Sequence, residues 1–145
     1  MIMCQSYIGG KRKVHACNPN QNEHGGSCYH FSLGASDFET SKASCASLGM
    51  HLVFIGSQDE QDFLVVTGLG YEYWIGLSTV TSLDNAATST WLDGSSLTYI
   101  NFAVSGWTFD QGGECFRMSG SQYEWMDMTC SVELHYICET ENSEC

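Results

Sequence analysis

Twice between residues 36 and 68 the apolar positions recur at helical spacing. In "SDFETSKASCASLG", Phe38, Cys45 and Leu48 share one face. Ser36 with Glu39 three residues on makes a capping box, and Gly49 is a natural stop. "SQDEQDFLVVTGLG" repeats the pattern: Ser57 caps, Glu60 holds the third position, Phe63 and Leu64 face inward and Gly68 ends the helix. "HLVFI" between them has the composition of a short strand, as does "CYHFSL" before them.

The pattern changes after Tyr71. "YEYWIGLS", "TWLDG", "ECFRM", "YEWMDMTC" and "LHYICE" are short aromatic or β-branched runs separated by Gly, Ser, Asn and Asp. Helices first and strands later, without regular alternation, predict an α+β fold with antiparallel sheets. Cys17 to Cys28 is a turn-rich stretch short enough to close as a hairpin. Residues 1–16 are polar and unpatterned and read as a flexible arm, 17–139 as one domain and 140–145 as a tail.

Charge narrows the partners. Seventeen acids against five bases give a formal charge of −12, and three of the bases stand together at Lys11, Arg12 and Lys13. Such a surface repels phosphate backbones, so no nucleic-acid partner is expected. No run of eighteen apolar residues is present, so no membrane span is expected. The opening "MIMCQSYIGGKRK" lacks an apolar stretch long enough for a signal peptide. The expectation is that such a segment has been removed, or that the Met is an introduced start.

Eight cysteines without any C-x-x-C pair give no support to a zinc ribbon or a redox motif. An even number spread over the whole length fits disulfides formed in an oxidising compartment, so secretion is expected.

"CYHF", "FETSKASCASLGMHLVFIGSQDEQDFL", "YWIGL", "TWLDGSSLTYINF", "GGECFRM", "YEWMDMTC" and "HYICE" follow one another in an order that resembles the C-type lectin-like domains, with Trp74-Ile75-Gly76-Leu77 as the core signature. The resemblance covers about Cys17 to Glu139. It implies two helices flanking small antiparallel sheets, a long irregular loop region, and disulfides Cys45–Cys138, Cys115–Cys130 and, as in the family's long form, Cys17–Cys28. Cys4 and Cys145 lie outside the pattern and are left either to pair with each other or to link two chains.

In sugar-binding members the long loop carries Glu-Pro-Asn or Gln-Pro-Asp, whose carbonyl side chains ligate calcium and meet two sugar hydroxyls. The corresponding stretch here is near "SGWTFD", and the chain's only proline is Pro19. The resemblance further implies Trp-Asn-Asp before the fourth core cysteine, where this chain has Trp125-Met126-Asp127. A thioether is too soft a donor for calcium, but Asp127 can ligate. Asp110, Glu114 and Asp127 therefore have two readings: a weakened or rebuilt divalent-cation site taking calcium, with zinc as the alternative, or solvated loop acids. Glu60 and Glu139 match places where some long-form relatives hold a separate structural calcium.

Phe102 takes the anchoring position that follows Asn101, which leaves Trp107 as a surplus indole, with Phe109 close by in sequence. Stacking on a sugar ring or anchoring a protein partner would suit it, as would packing within its own loop. His51 and His135 fall at core positions, His30 alternates along a strand, and His15 and His24 lie in polar segments.

No triad, carboxylate pair or nucleotide-binding glycine loop stands out, so no enzyme is expected. The leading expectation is a secreted lectin-like protein recognising carbohydrate, such as microbial surface glycans in innate immunity, with weak or atypical cation dependence. The alternative is a cation-independent protein-binding domain that dimerises through Cys4 or Cys145.

Overall fold

The computed structural model describes residues 7–8, 11–12, 17–78, 90–103, 115–119 and 123–141. Within the predicted arm, β1 (Tyr7–Ile8) pairs with β2 (Lys11–Arg12) as an antiparallel hairpin. The intervening Gly-Gly, a hairpin signal, went unread in the sequence. The chain continues through β3 (Asn22–His24), β4 (Ser27–Phe31), α1 (Phe38–Ser47), β5 (His51–Leu52) and α2 (Gln58–Thr67). It ends with β6 (Tyr73–Trp74), β7 (Cys115–Ser119), β8 (Glu124–Met128) and β9 (His135–Glu141).

Strand β9 is the hub. It pairs antiparallel with β4 and β5 along its second half and parallel with β6 at His135 and Tyr136. β6, β7 and β8 then continue antiparallel. Two small sheets thus share one strand, and the parallel β6–β9 pairing is the departure from an antiparallel expectation. "TWLDG" makes only isolated bridges, Leu77 to Trp91 and Thr90 to Ser96.

Both predicted helices form, with one correction. The cap of α1 is Asp37, whose carboxylate accepts from the Thr40 amide at 2.8 Å, so Ser36 and Glu39 make no capping box. Ser36 is instead tied to β9's approach, exchanging backbone hydrogen bonds with Leu134. Its carbonyl also accepts the Trp74 indole N–H at 3.0 Å. Leu48, predicted to face inward, is the C-cap residue and is half exposed, because the helix ends one residue before it. Ser57 caps α2 as predicted, accepting from the Glu60 amide.

Trp74 packs edge-on against Phe38 of α1, with Leu52 and the Cys45–Cys138 bridge beside it. A larger cluster gathers Ile75, Leu77, Trp91, Phe116 and Trp125 under Leu64 of α2. Gly76 has no room for a side chain: a Cβ there would sit 2.6 Å from both the Leu52 carbonyl and the Phe54 ring. The three disulfides implied by the family resemblance are all present, Cys17–Cys28, Cys45–Cys138 and Cys115–Cys130.

Candidate functional site

Strand β8 is held to the base of the long loop on one side and to α2 on the other. The Trp125 amide donates to the Asn101 carbonyl at 2.8 Å, and the Trp125 carbonyl accepts from the Ala103 amide at 3.1 Å. Gln61 of α2 reaches the same strand, accepting from the Trp125 indole N–H at 3.0 Å. Two residues beyond Trp125, Asp127 is 4% exposed and pairs in register with Phe116. A carboxylate at that depth must be satisfied within the protein or by a cation, which sets it apart from an ordinary solvated acid. Trp107, Phe109, Asp110 and Glu114 lie outside the described residues, so of the predicted loop set the structure places only Asp127.

A second polar cluster lies where β4, β5 and β9 run side by side. Tyr29, Glu139 and His51 are direct partners across the three strands, so their side chains emerge on one face. Glu141, two residues on from Glu139, joins them. From the facing helix, Glu60 accepts from the Tyr29 hydroxyl at 2.5 Å and from the Gly56 amide at 2.8 Å. Glu139 is 4% exposed and accepts from the Phe54 amide at 3.1 Å. A cleft of about 140 Å³ opens between Ser57, Asp59, Glu60 and Glu139.

The charges in this cluster perturb one another. Burial pushes the Glu139 carboxyl up to about 8, with the nearby Glu60 and Glu141 charges adding to the effect. Burial likewise raises the Tyr29 hydroxyl, and Glu139 and Glu60 act in the same direction. For His51, burial opposes the charged ring, but hydrogen bonds to Glu141 and the Leu52 carbonyl outweigh it and raise its pKa. Glu141 is lowered, chiefly by the hydrogen bond from His51.

Apart from the His24 ring, which is bonded to Asp59, the donors around the cleft are oxygens, the set a hard cation such as calcium selects. Glu60 and Glu139 would hold the ion, which would tie α2 to β9 and offset carboxylate repulsion. The two acids singled out by resemblance therefore do come together. The register that joins His51 to Glu139 spans 88 positions of chain and had no signal in the linear pattern. Only the Glu139-Glu141 alternation was readable.

The structure gives three of the histidines definite partners. His24 is on β3, stacked on Phe63 at 4.3 Å and bonded to Asp59 at 2.8 Å. His51 is partly exposed instead of core, and His135 stacks on Tyr71 at 3.8 Å.

The model of the Lectin C-type domain matches residues 34–140. C-type lectin domain family 4 member G of Mus musculus is 35% identical over 130 residues, which cover 88% of this chain and 44% of that protein. Hepatic lectin of Gallus gallus is 30% identical over 123 residues, 79% of this chain and 55% of that one. The chain thus spans about half the length of these relatives. Among solved structures, the mouse scavenger receptor C-type lectin carbohydrate-recognition domain superposes with a TM-score of 0.75 at 32% identity, covering 88% of this chain and 98% of that one. The carbohydrate-recognition domain of cow CD23, solved with a GlcNAc2Man3 oligosaccharide, gives 0.76 at 31% identity over the same shares. With three-quarters of its length matched by the model and its bridges in the implied places, the chain belongs to the Lectin C-type domain family.

Proposed function

We propose that this domain binds carbohydrate through the loop region seated on β8 and performs no reaction. One observation carries the reading: the loop stem is fastened by hydrogen bonds to Trp125, two residues from the buried carboxylate of Asp127, in a fold shared with a carbohydrate-recognition domain solved in the presence of an oligosaccharide. Trp107 and Phe109 supply apolar surface for a sugar ring, as aromatic side chains do in lectin-type recognition. Asp110, Glu114 and Asp127 supply acceptors for hydroxyls and a weak calcium site. A second calcium in the Glu60–Glu139 cleft is structural and braces α2 against β9. The protein acts outside the cell, and microbial surface glycans are the ligands we assign to it.

A glycan array read with calcium and with chelator, on the wild-type chain and on Trp107→Ala and Asp127→Asn, tests the proposal. Binding that falls in both variants supports it. Silence in every condition, or binding indifferent to both substitutions, refutes it. The lack of a proline-centred motif and the Met126 thioether favour a second reading, a cation-independent protein ligand with dimerisation through Cys4 or Cys145. Non-reducing electrophoresis that shows only monomer removes the covalent part of that reading.

A further inference from the structure

His51 Nδ1 lies 2.7 Å from the Leu52 carbonyl. A carbonyl only accepts, so Nδ1 carries a proton, and in the neutral ring Nε2 is the nitrogen with the lone pair. That Nε2 lies 3.0 and 3.1 Å from the two oxygens of Glu141. Two acceptors cannot face each other at that distance; something positive has to stand between them, either a second ring proton or a metal ion. Glu139 brings a third donor, and one atom from each of the three residues lies within 4.8 Å of the others. Ligands of a tetrahedral zinc stand about 3.4 Å apart, from metal–ligand distances near 2.1 Å. Small side-chain movements close the set.

The surroundings are those of a metal ligand as well. The backbone carbonyl on Nδ1 is the kind of outer partner that fixes the tautomer of a metal-bound histidine. Phe54 stacks on the ring at 4.0 Å and 20°, which restricts its rotation, and the Phe54 amide holds Glu139. The His51 and Glu141 side chains are 32% and 58% exposed, so an ion can enter from solvent.

We propose that His51 Nε2, Glu139 and Glu141 form a surface site for a borderline divalent cation of the zinc type, with water completing the coordination. What separates it from the neighbouring cleft is an imidazole aimed at its own carboxylates: in the cleft the one imidazole, His24, is bonded to Asp59 and stacked on Phe63, which leaves oxygens to meet a hard cation there and zinc to favour this site. Binding displaces the proton from Nε2 and the proton that the buried Glu139 carboxyl retains.

The test uses the full, disulfide-intact chain, stripped with chelator and with any free thiol alkylated. Zinc is followed by calorimetry, and cobalt(II) by its visible absorption. One zinc per chain is expected, with His51→Gln and Glu141→Gln each weakening it about tenfold or more. His24→Gln is expected to stay within about threefold, since that ring is bonded to Asp59 and does not belong to the set. Nitrogen-15 NMR of the wild-type chain is expected to move the His51 Nε2 resonance on zinc addition, a readout independent of how the variants fold. No zinc bound by the wild-type chain, an unmoved Nε2 resonance, or His51→Gln with undiminished affinity overturns the proposal.

Discussion

Gln61 offers a calculable test of how α2 is coupled to strand β8. It is 2% exposed, and its amide works in both directions. Oε1 accepts from the Trp125 indole at 3.0 Å, and Nε2 donates to the Tyr123 carbonyl at 3.1 Å. Gln61→Leu removes both bonds, and a weak third from Nε2 to Met118 Sδ at 3.7 Å, while keeping nearly the same volume. The Tyr123 carbonyl retains the Asn101 side-chain amide at 3.3 Å, so losing Gln61 there costs one net hydrogen bond, about 1 kcal/mol. The Trp125 indole is fully buried. Stripped of its acceptor, its N–H costs about 1–3 kcal/mol. The extra apolar surface of leucine offsets about 1 kcal/mol. The expected net loss is about 2 kcal/mol, read by denaturant unfolding with the disulfides intact as a lower midpoint at unchanged slope. Gln58→Ala, which removes only solvent-exposed bonds to Asp62 and Tyr99, is the control and should stay within about 0.5 kcal/mol. If Gln61→Leu matched that control, the buried amide would not be what couples helix to strand.

Gly76→Ala places a methyl group against the Leu52 carbonyl and the Phe54 ring, both at 2.6 Å, and should destabilise by roughly 3 kcal/mol in the same assay. Removing the Cys45–Cys138 bridge, which closes a separation of 93 residues, should cost about 4–5 kcal/mol. Removing Cys115–Cys130, with a separation of 15, should cost about 3 kcal/mol, and the opposite ranking would rule out chain entropy as the cause. The Glu139 carboxyl, pushed up to about 8 from 4.5, binds its proton more tightly in the folded state. Its contribution is therefore complete below pH 4.5 and lost as pH rises toward about 8. The raised His51 acts in the same direction. Urea midpoints of chelator-treated protein should fall across that window, and Glu139→Gln should flatten the fall; a wild-type profile already flat contradicts it.

What could be read in the sequence was local or carried by the family's signature. The Ser57 cap, the Gly49 stop and the paired cysteines each depend on a few adjacent residues or on an ordered motif. The α1 cap slipped by one because Ser36 and Asp37 are both good caps. The choice between them was made by tertiary contact: the Ser36 backbone is taken by Leu134 and Trp74. Gln61 was invisible for a related reason. A polar residue on a helix is read as solvent-facing, and only the approach of Trp125 and Tyr123 from more than 60 residues away makes its burial tolerable. The Glu60–Glu139 association came from resemblance, whereas the His51 partnership needed the register of β5 on β9.

Strand β9 explains why the chemistry gathers where it does. On one face it carries Ile137 in the core, then Glu139, then the exposed Glu141, while the other face holds Cys138 in its bridge. A strand anchored by a disulfide on one side and by Ile137 on the other cannot shift register to lift Glu139 into water, since a one-residue slip would expose the core face. The carboxyl is thus fixed in a site where burial penalises its charge, and Tyr29, Glu60 and His51 are fixed around it by the flanking elements. Stability alone does not favour such an arrangement, because a buried acid beside two others is costly without a counter-charge. A cation of the kind proposed above would supply that counter-charge. Such an occupant would tie the rigidity of β9, and through it the seat of β6 to β8, to the charge held on this acidic face.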